Sequence, residues 1–252
     1  LYPYYREELR RLFAELCAHL GSAPTDDALR GAIAELNQVR QRLIRLGELR
    51  LADPPRLAGA DALVVTIAAQ ILPPSVLLPW LDALLGELEA APALDSVRAR
   101  VLLVGAELDE PRYVETIESQ GALVVADRLC FGARSVLEPL DEQATDPLDE
   151  IGRAYFFRPS CARMIGDFPA RWEALELLLR RARARGVIFE RLMFCDPWGA
   201  EQHNLIKRCR EQGIPLLCLT REYGIVPTGQ LRTRVQAFVE RLEIAQHQER
   251  AS

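Results

Sequence analysis

The stretch from Gly186 to Trp198, GVIFERLMFCDPW, constrains the fold of this chain more than any other segment. It begins with a glycine and continues through apolar and aromatic residues, which is the pattern of a buried parallel strand. Pro197 cannot donate an amide hydrogen to a ladder, so the strand should end near Cys195. A thiol and the carboxylate of Asp196 would then lie at the carboxyl end of a strand, where open α/β sheets place their ligand sites.

The same residues also permit a purely structural interpretation. A cysteine at a strand end often acts as a small buried apolar side chain. Asp196 is a residue type that caps helices, and the following helix should start near Gly199. The spacing is compatible both with this interpretation and with a thiol and carboxylate at a functional site.

The two parts of the chain differ in their apolar periodicity. Residues 1–95 have helical spacing throughout, which predicts an α-helical subdomain. Residues 96–252 alternate short apolar runs with helical segments, and this alternation indicates a parallel sheet with right-handed crossovers. We therefore predict an α/β fold in which residues 96–252 form a flavodoxin-like domain. Its four strands have the order 2-1-3-4, are flanked by helices, and are expected near residues 101–104, 123–126, 187–194 and 215–219.

The predicted strand order has a switch point between the first and third strands. The loops after Val104 and Phe194 would face one crevice there, with Cys130 close by on the loop after the second strand. The loop after the first strand carries Glu107 and Asp109, which either touch a substrate or face water. This loop has neither a dinucleotide fingerprint nor a P-loop, so the usual phosphate-binding glycine motifs are missing.

Charge and hydropathy restrict the partners of the chain. The formal net charge is −5 and no basic block is present, so nucleic acid is not an expected partner. No apolar run is long enough to cross a bilayer, and no signal-peptide pattern occurs. We expect a cytoplasmic protein that binds neither a membrane nor nucleic acid.

Three of the six cysteines fall where loops are predicted, namely Cys130, Cys161 and Cys195. Thiolates are the preferred ligands of iron–sulfur clusters, and three of them leave one iron of a four-iron cluster open to a substrate oxygen. A thiol hydrolase that uses Cys195 and His203 is an alternative, which requires the imidazole to lie within hydrogen-bond reach of the thiol. The remaining cysteines lie in helical or strand patterns and are expected to fill the core: Cys17, Cys209 and Cys218.

Several ordered motifs give the chain a family resemblance. An aspartate-x-x-cysteine-x-glycine run follows strand two, a cysteine–aspartate pair follows strand three, and a glycine-isoleucine-proline run precedes strand four. The last helix opens with a glycine-glutamine … threonine-arginine run. With these motifs the chain resembles the 2-hydroxyacyl-CoA dehydratase / benzoyl-CoA reductase subunit family and is similar to the D-component of 2-hydroxyglutaryl-CoA dehydratase. The motif residues are Asp127–Gly132, Cys195, Asp196, Gly213–Pro215, Gly229, Gln230, Thr233 and Arg234.

The resemblance implies an enzyme subunit that acts on a CoA thioester. Family members pair as two related subunits, each with a [4Fe-4S] cluster held by three cysteines. An ATP-dependent activase delivers one electron, which reaches the acyl-CoA substrate and leads to dehydration or to ring reduction. The resemblance makes Cys195 a cluster ligand and Cys130 and Cys161 candidate ligands. It also makes the helix end with Gln230 and Arg234 a candidate site for a CoA phosphate.

The resemblance further implies an α/β domain ahead of the helical subdomain, which supplies other cluster cysteines. We expect this chain to be either a truncated product or a short relative without that domain. In a short relative, Cys130, Cys161 and Cys195 would have to provide all the protein ligands. If they do not, the chain would serve as a metal-free structural or binding subunit of the complex.

Overall fold

The computed structural model describes residues 1–94, 97–224 and 229–251, with side chains described to residue 248. Four helices come first and are followed by a mixed α/β region with a parallel sheet. The predicted domain boundary at residues 95 and 96 lies outside the described residues, as does Thr228, the predicted cap of the last helix. Within the described chain the helices are α1 Tyr2–Leu20, α2 Asp26–Leu51, α3 Gly59–Ile71, α4 Pro74–Ala90, α5 Pro111–Glu118, α6 Pro147–Phe157, α7 Phe168–Ala182, α8 Asp196–Glu211 and α9 Gly229–Ala251.

The sheet has four parallel strands in the order β2-β1-β3-β4, which confirms the predicted topology. Val101 of β1 lies opposite Val124 of β2 and opposite Gly186 of β3, while Val187 of β3 lies opposite Leu216 of β4. The chain direction reverses its order between β1 and β3, so the loops that follow these strands border one crevice. The strands are β1 Ala99–Gly105, β2 Ala122–Arg128, β3 Gly186–Leu192 and β4 Leu216–Arg221.

Alternating residues of the central strands build a separate core on each face of the sheet. Leu103 and Ile188 point to the face covered by α3, α5 and α9. Leu102 and Phe189 point to the face covered by α7 and α8. Because both faces are covered, the central strands are almost continuously apolar, as buried parallel strands must be.

The second helix illustrates how local sequence sets the element ends. The hydroxyl of Thr25 accepts a hydrogen bond of 3.2 Å from the amide of Ala28, which confirms the predicted N-cap. Asp26 and Asp27 lie in the first turn, where the positive end of the helix dipole favours carboxylates. The helix ends at Leu51, shortly before two consecutive prolines that could not continue it.

The boundaries around the cysteine of β3 differ from the prediction. The strand ends at Leu192 instead of Phe194, and α8 begins at Asp196 instead of near Gly199. Cys195 is the N-cap residue and Asp196 is already helical, so the proposed capping role of Asp196 is wrong. The reason is Pro197, because proline at the start of a helix has a suitable backbone angle and lacks an amide that would otherwise be unpaired.

Candidate functional site

Cys130, Cys161 and Cys195 line one cleft of about 550 Å³ at the carboxyl edge of the sheet. All three thiols are partly exposed and none forms a disulfide. The cleft is also lined by Glu107 from the loop after β1 and by Trp198 from the first turn of α8. The structure therefore brings the three sequence-predicted cysteines to a common space beside the switch point of the sheet.

The loop that carries Cys130 is wrapped around the carboxylate of Asp127, the penultimate residue of β2. Its Oδ1 atom accepts hydrogen bonds from the amides of Leu129 at 3.2 Å and Ala133 at 2.8 Å. A side chain at Gly132 would place Cβ only 1.9 Å from the same oxygen, so this position requires glycine. The aspartate-x-x-cysteine-x-glycine motif thus encodes a turn around a buried acceptor.

The loop that carries Cys161 is held by Arg171 of α7. Its Nη1 atom donates hydrogen bonds to the hydroxyl of Ser160 at 2.9 Å, to the carbonyl of Cys161 at 3.1 Å and to the carbonyl of Met164 at 2.8 Å. These bonds satisfy the backbone of an irregular segment that lies against the sheet edge. Cys161 is therefore presented by a short loop with a fixed path.

The third thiol lies at the start of α8. The amide of Cys195 donates to the carbonyl of Leu192 at 3.1 Å, and its own carbonyl accepts from the amide of Gly199 at 2.9 Å. The positive end of a helix favours a thiolate over a thiol. The preceding residue, Phe194, is 91% exposed and has a φ of 69°, a left-handed conformation that is uncommon for a large side chain.

Local charges affect two of the thiols in opposite directions. Burial raises the pKa of Cys130, and the opposing effects of Arg134 and of the Trp198 indole do not cancel it. Burial also disfavours the thiolate of Cys161, but hydrogen bonds from the Arg163 amide and the Arg134 guanidinium outweigh this and lower the pKa of Cys161. The anionic form is therefore easier to reach at Cys161 than at Cys130.

The donor set fits an iron–sulfur cluster better than a single metal ion. In the part of the chain that the structure describes, no three His, Cys, Asp or Glu side chains are grouped closely enough to hold one metal ion. A four-iron cluster is larger than an ion and takes cysteine thiolates as ligands. Beside the thiols, the buried Nη1 of Arg134 has no hydrogen-bond partner among the described atoms, which leaves a cationic donor for an anionic group.

Gln230 and Arg234 lie apart from the thiol cleft. Both are exposed in the first two turns of α9, which packs on the face of the sheet opposite α8. Arg234 Nη2 donates to the carbonyl of Cys218 in β4 at 2.6 Å. The structure therefore does not bring these two residues together with the cysteines, and their role in phosphate binding stays a prediction.

The base of the alternative thiol hydrolase is also placed away from the cleft. His203 is exposed on α8, and the described residues that line the cleft do not include it. A general base must lie within hydrogen-bond reach of the thiol that it activates. The arrangement gives no support to hydrolysis by Cys195 and His203.

Sequence reasoning missed a buried ion pair next to the cleft. Glu190 of β3 has no exposed surface, and its Oε1 lies 2.6 Å from Nε of Arg221 in β4 without an aligned hydrogen bond. Burial raises the pKa of Glu190 to about 7, although Arg221 opposes this shift. The available signal was a single glutamate inside the apolar run of β3, since buried carboxylates with shifted pKa values are frequent at functional sites.

The fold and the thiol cleft define a class of α/β protein whose site lies at the switch point of a parallel sheet. The family model described as "2-hydroxyglutaryl-CoA dehydratase, D-component" matches residues 2–242. The chain therefore belongs to this family, as the sequence motifs predicted.

Relatives with known names are dehydratase and reductase subunits. The chain is 29% identical to the "putative dehydratase subunit YjiM" of Escherichia coli over 94% of its own length and 63% of the relative. It is 28% identical to a benzoyl-CoA reductase subunit of Thauera aromatica, with 85% and 56% covered. It is 24% identical to the beta subunit of (R)-2-hydroxyglutaryl-CoA dehydratase of Acidaminococcus fermentans, with 93% and 62% covered. The chain thus spans about three fifths of the length of these relatives.

Among the described helices, none combines the length and the apolar character that crossing a bilayer requires.

Proposed function

We propose that this chain is a subunit of an iron–sulfur 2-hydroxyacyl-CoA dehydratase or of a benzoyl-CoA reductase-like enzyme. In this proposal a [4Fe-4S] cluster lies in the thiol cleft and acts on a CoA thioester by one-electron reduction. Cys130, Cys161 and Cys195 are its ligands. The observation that carries the proposal is their convergence on one cleft at the carboxyl edge of the sheet.

The residues around the cleft would have distinct tasks in this enzyme. When bound, the cluster supplies a low-potential electron and an open iron as a Lewis acid. Arg134 and Arg163 favour the thiolate form of Cys161, which is the form that binds iron. The ring of Phe194 stands exposed beside the cleft, where it can cover the site or contact an acyl group.

The remaining partners follow from the named relatives and the resemblance. The relatives are named as single subunits of larger enzymes, which supports a second, related subunit beside this chain. An ATP-dependent activase would deliver the electron, and Gln230 and Arg234 at the start of α9 would bind a phosphate of CoA. We place the complex in the cytoplasm.

Anaerobic reconstitution with iron and sulfide tests the proposal. The wild-type chain should develop the visible absorption of a four-iron cluster and bind about four irons, and each of Cys130→Ser, Cys161→Ser and Cys195→Ser should lower the iron content and bleach the absorption. Cys17→Ser is the matched control, because Cys17 lies on α1, does not line the cleft and should leave the iron content unchanged. A colourless wild-type chain, or a Cys195→Ser variant with full iron content, would refute the ligand assignment.

A metal-free structural or binding subunit is the second candidate. The observations that favour it are the raised pKa of Cys130, which opposes the thiolate, and the lack of a tight group of metal ligands among the described residues. Co-purification with a cluster-bearing partner distinguishes the two functions. A complex in which iron is bound by the partner while this chain stays iron-free would support the metal-free subunit.

A further inference from the structure

Two buried ion pairs meet the two loops that carry Cys130 and Cys161. Arg50 of α2 pairs with Asp127 of β2, and Arg171 of α7 pairs with Glu201 of α8; all four side chains are buried. A buried ion pair is weak evidence for stability, because the cost of removing two charges from water offsets their attraction. A role in fixing a local geometry is therefore the more informative hypothesis.

The first pair joins the helical part of the chain to the Cys130 loop. Arg50 Nη1 donates to Asp127 Oδ2 at 2.6 Å, and its Nε donates to the carbonyl of Val124 at 2.9 Å. The other carboxylate oxygen, Oδ1, accepts the two amides that flank Cys130 in the loop. One carboxylate thus has its Oδ2 on a fixed cation and its Oδ1 on the thiol loop.

The second pair joins the Cys161 loop to the helix that begins after Cys195. Arg171 forms a two-pronged contact with Glu201, with Nε–Oε1 and Nη2–Oε2 distances of 2.7 and 2.8 Å. Its remaining nitrogen, Nη1, donates to three acceptors of the Cys161 loop. The guanidinium fork therefore links the positions of two thiols through one rigid group.

We propose that Asp127 and Arg171 are positioning residues that hold Cys130 and Cys161 in the spacing that a shared ligand requires. The identity of that ligand as an iron–sulfur cluster rests on the function proposed above. The positioning itself can be measured on the apo protein. Each of the two residues holds one loop, so each should control the thiol of that loop alone.

Reciprocal variants test this assignment. Gly132→Ala places a methyl group against Asp127 Oδ1 while it keeps both charges of the first pair. Arg171→Lys keeps the charge of the second pair but cannot serve Glu201 and three loop acceptors together. The readout is the alkylation rate of each cysteine by iodoacetamide, measured by peptide mass spectrometry on the native apo protein.

The expected pattern is specific for the loop. Gly132→Ala should increase alkylation of Cys130 about tenfold, equivalent to about 1.4 kcal/mol of loop opening, and leave Cys161 unchanged. Arg171→Lys should have the opposite pattern. Cys209 is buried in α8 and reports general unfolding, so its rate should stay constant. Equal increases at both loops in either variant, or no increase at either, would overturn the proposal.

A second variant and a second readout complete the test. If Gly132→Ala fails to fold, Asp127→Asn removes the charge that Arg50 holds and should also accelerate alkylation of Cys130 alone. In reconstituted protein, Gly132→Ala and Arg171→Lys should both lose iron to a chelator faster than wild type, and equal rates would overturn their role toward the cluster. A wild-type chain that binds no iron would refute the proposed function, while the alkylation pattern would still decide the positioning role.

Discussion

Glu190 and Arg221 form an ion pair inside the sheet, with 2.6 Å between Glu190 Oε1 and Arg221 Nε and no exposed surface on Glu190. The pair lies at the carboxyl ends of β3 and β4, and Arg221 also contacts the carbonyl of Glu107 from the thiol cleft. Burial raises the pKa of Glu190 from its usual 4.5 to about 7. The structure thus places a proton-binding group between the strand ends that form the candidate site.

This ion pair predicts a pH-dependent stability. A carboxyl whose pKa is higher in the folded state stabilises the fold fully below the unfolded-state pKa and loses this contribution as the pH rises through the folded-state pKa. Relative to Glu190→Gln, wild type should therefore lose about 3 kcal/mol of unfolding free energy between pH 4.5 and about 7. Urea unfolding across this range measures the difference.

The exposed carboxyl of Glu87 on α4 provides the control. Glu87→Gln should keep the pH profile of wild type, because a solvated carboxyl has little reason to change its pKa on folding. Parallel profiles for wild type and Glu190→Gln would show that burial does not shift the pKa of Glu190.

Phe194 predicts a reversal of the usual order of glycine and alanine. Its φ of 69° costs an L-residue about 1 kcal/mol, whereas glycine adopts this angle without strain. Phe194→Gly should therefore be about 1 kcal/mol more stable than Phe194→Ala in urea unfolding. At Met193, which does not have a positive φ, the alanine variant should be the more stable of the two. The same order at both positions would contradict the strain.

Buried and exposed ion pairs should differ strongly in their mutational cost. Arg50→Met leaves the buried carboxylate of Asp127 without its cation, which should reduce the free energy of unfolding by about 3–5 kcal/mol. Arg42→Met breaks an exposed pair with Asp82 and should cost less than about 1 kcal/mol. Denaturant unfolding of both variants measures the contrast, and equal losses would show that burial does not govern the cost.

Gly105 is required by a close approach of two strands. A Cβ atom there would lie 1.9 Å from the carbonyl oxygen of Glu190, so Gly105→Ala should push β1 away from β3 and cost at least about 2 kcal/mol. Gly86→Ala provides the opposite case, since nothing lies within 4 Å of its Cβ position in α4. That substitution should stabilise the protein by about 0.5–1 kcal/mol. Thermal unfolding of both variants tests the expected opposite signs.

Local sequence determined the scaffold of this protein and the segments that carry its thiols. Alternating apolar runs and helical patterns predicted the strand order, because a parallel sheet needs a crossover between successive strands. The same patterns placed Cys130, Cys161 and Cys195 in loops at the sheet edge, where the structure has them. These features follow from residues close together in the chain, so periodicity and turn signals predict them.

The contacts that shape the site were decided by tertiary structure alone. Asp127 pairs with Arg50, which lies 77 positions away in the chain, and Arg171 pairs with Glu201 across 30 positions. Packing also buried Glu190 and put α9, with Gln230 and Arg234, on the face of the sheet opposite α8. Such pairings depend on which elements pack together, and the free energy of a charge depends on the whole surface that buries it. Neither quantity is contained in the local pattern of the sequence.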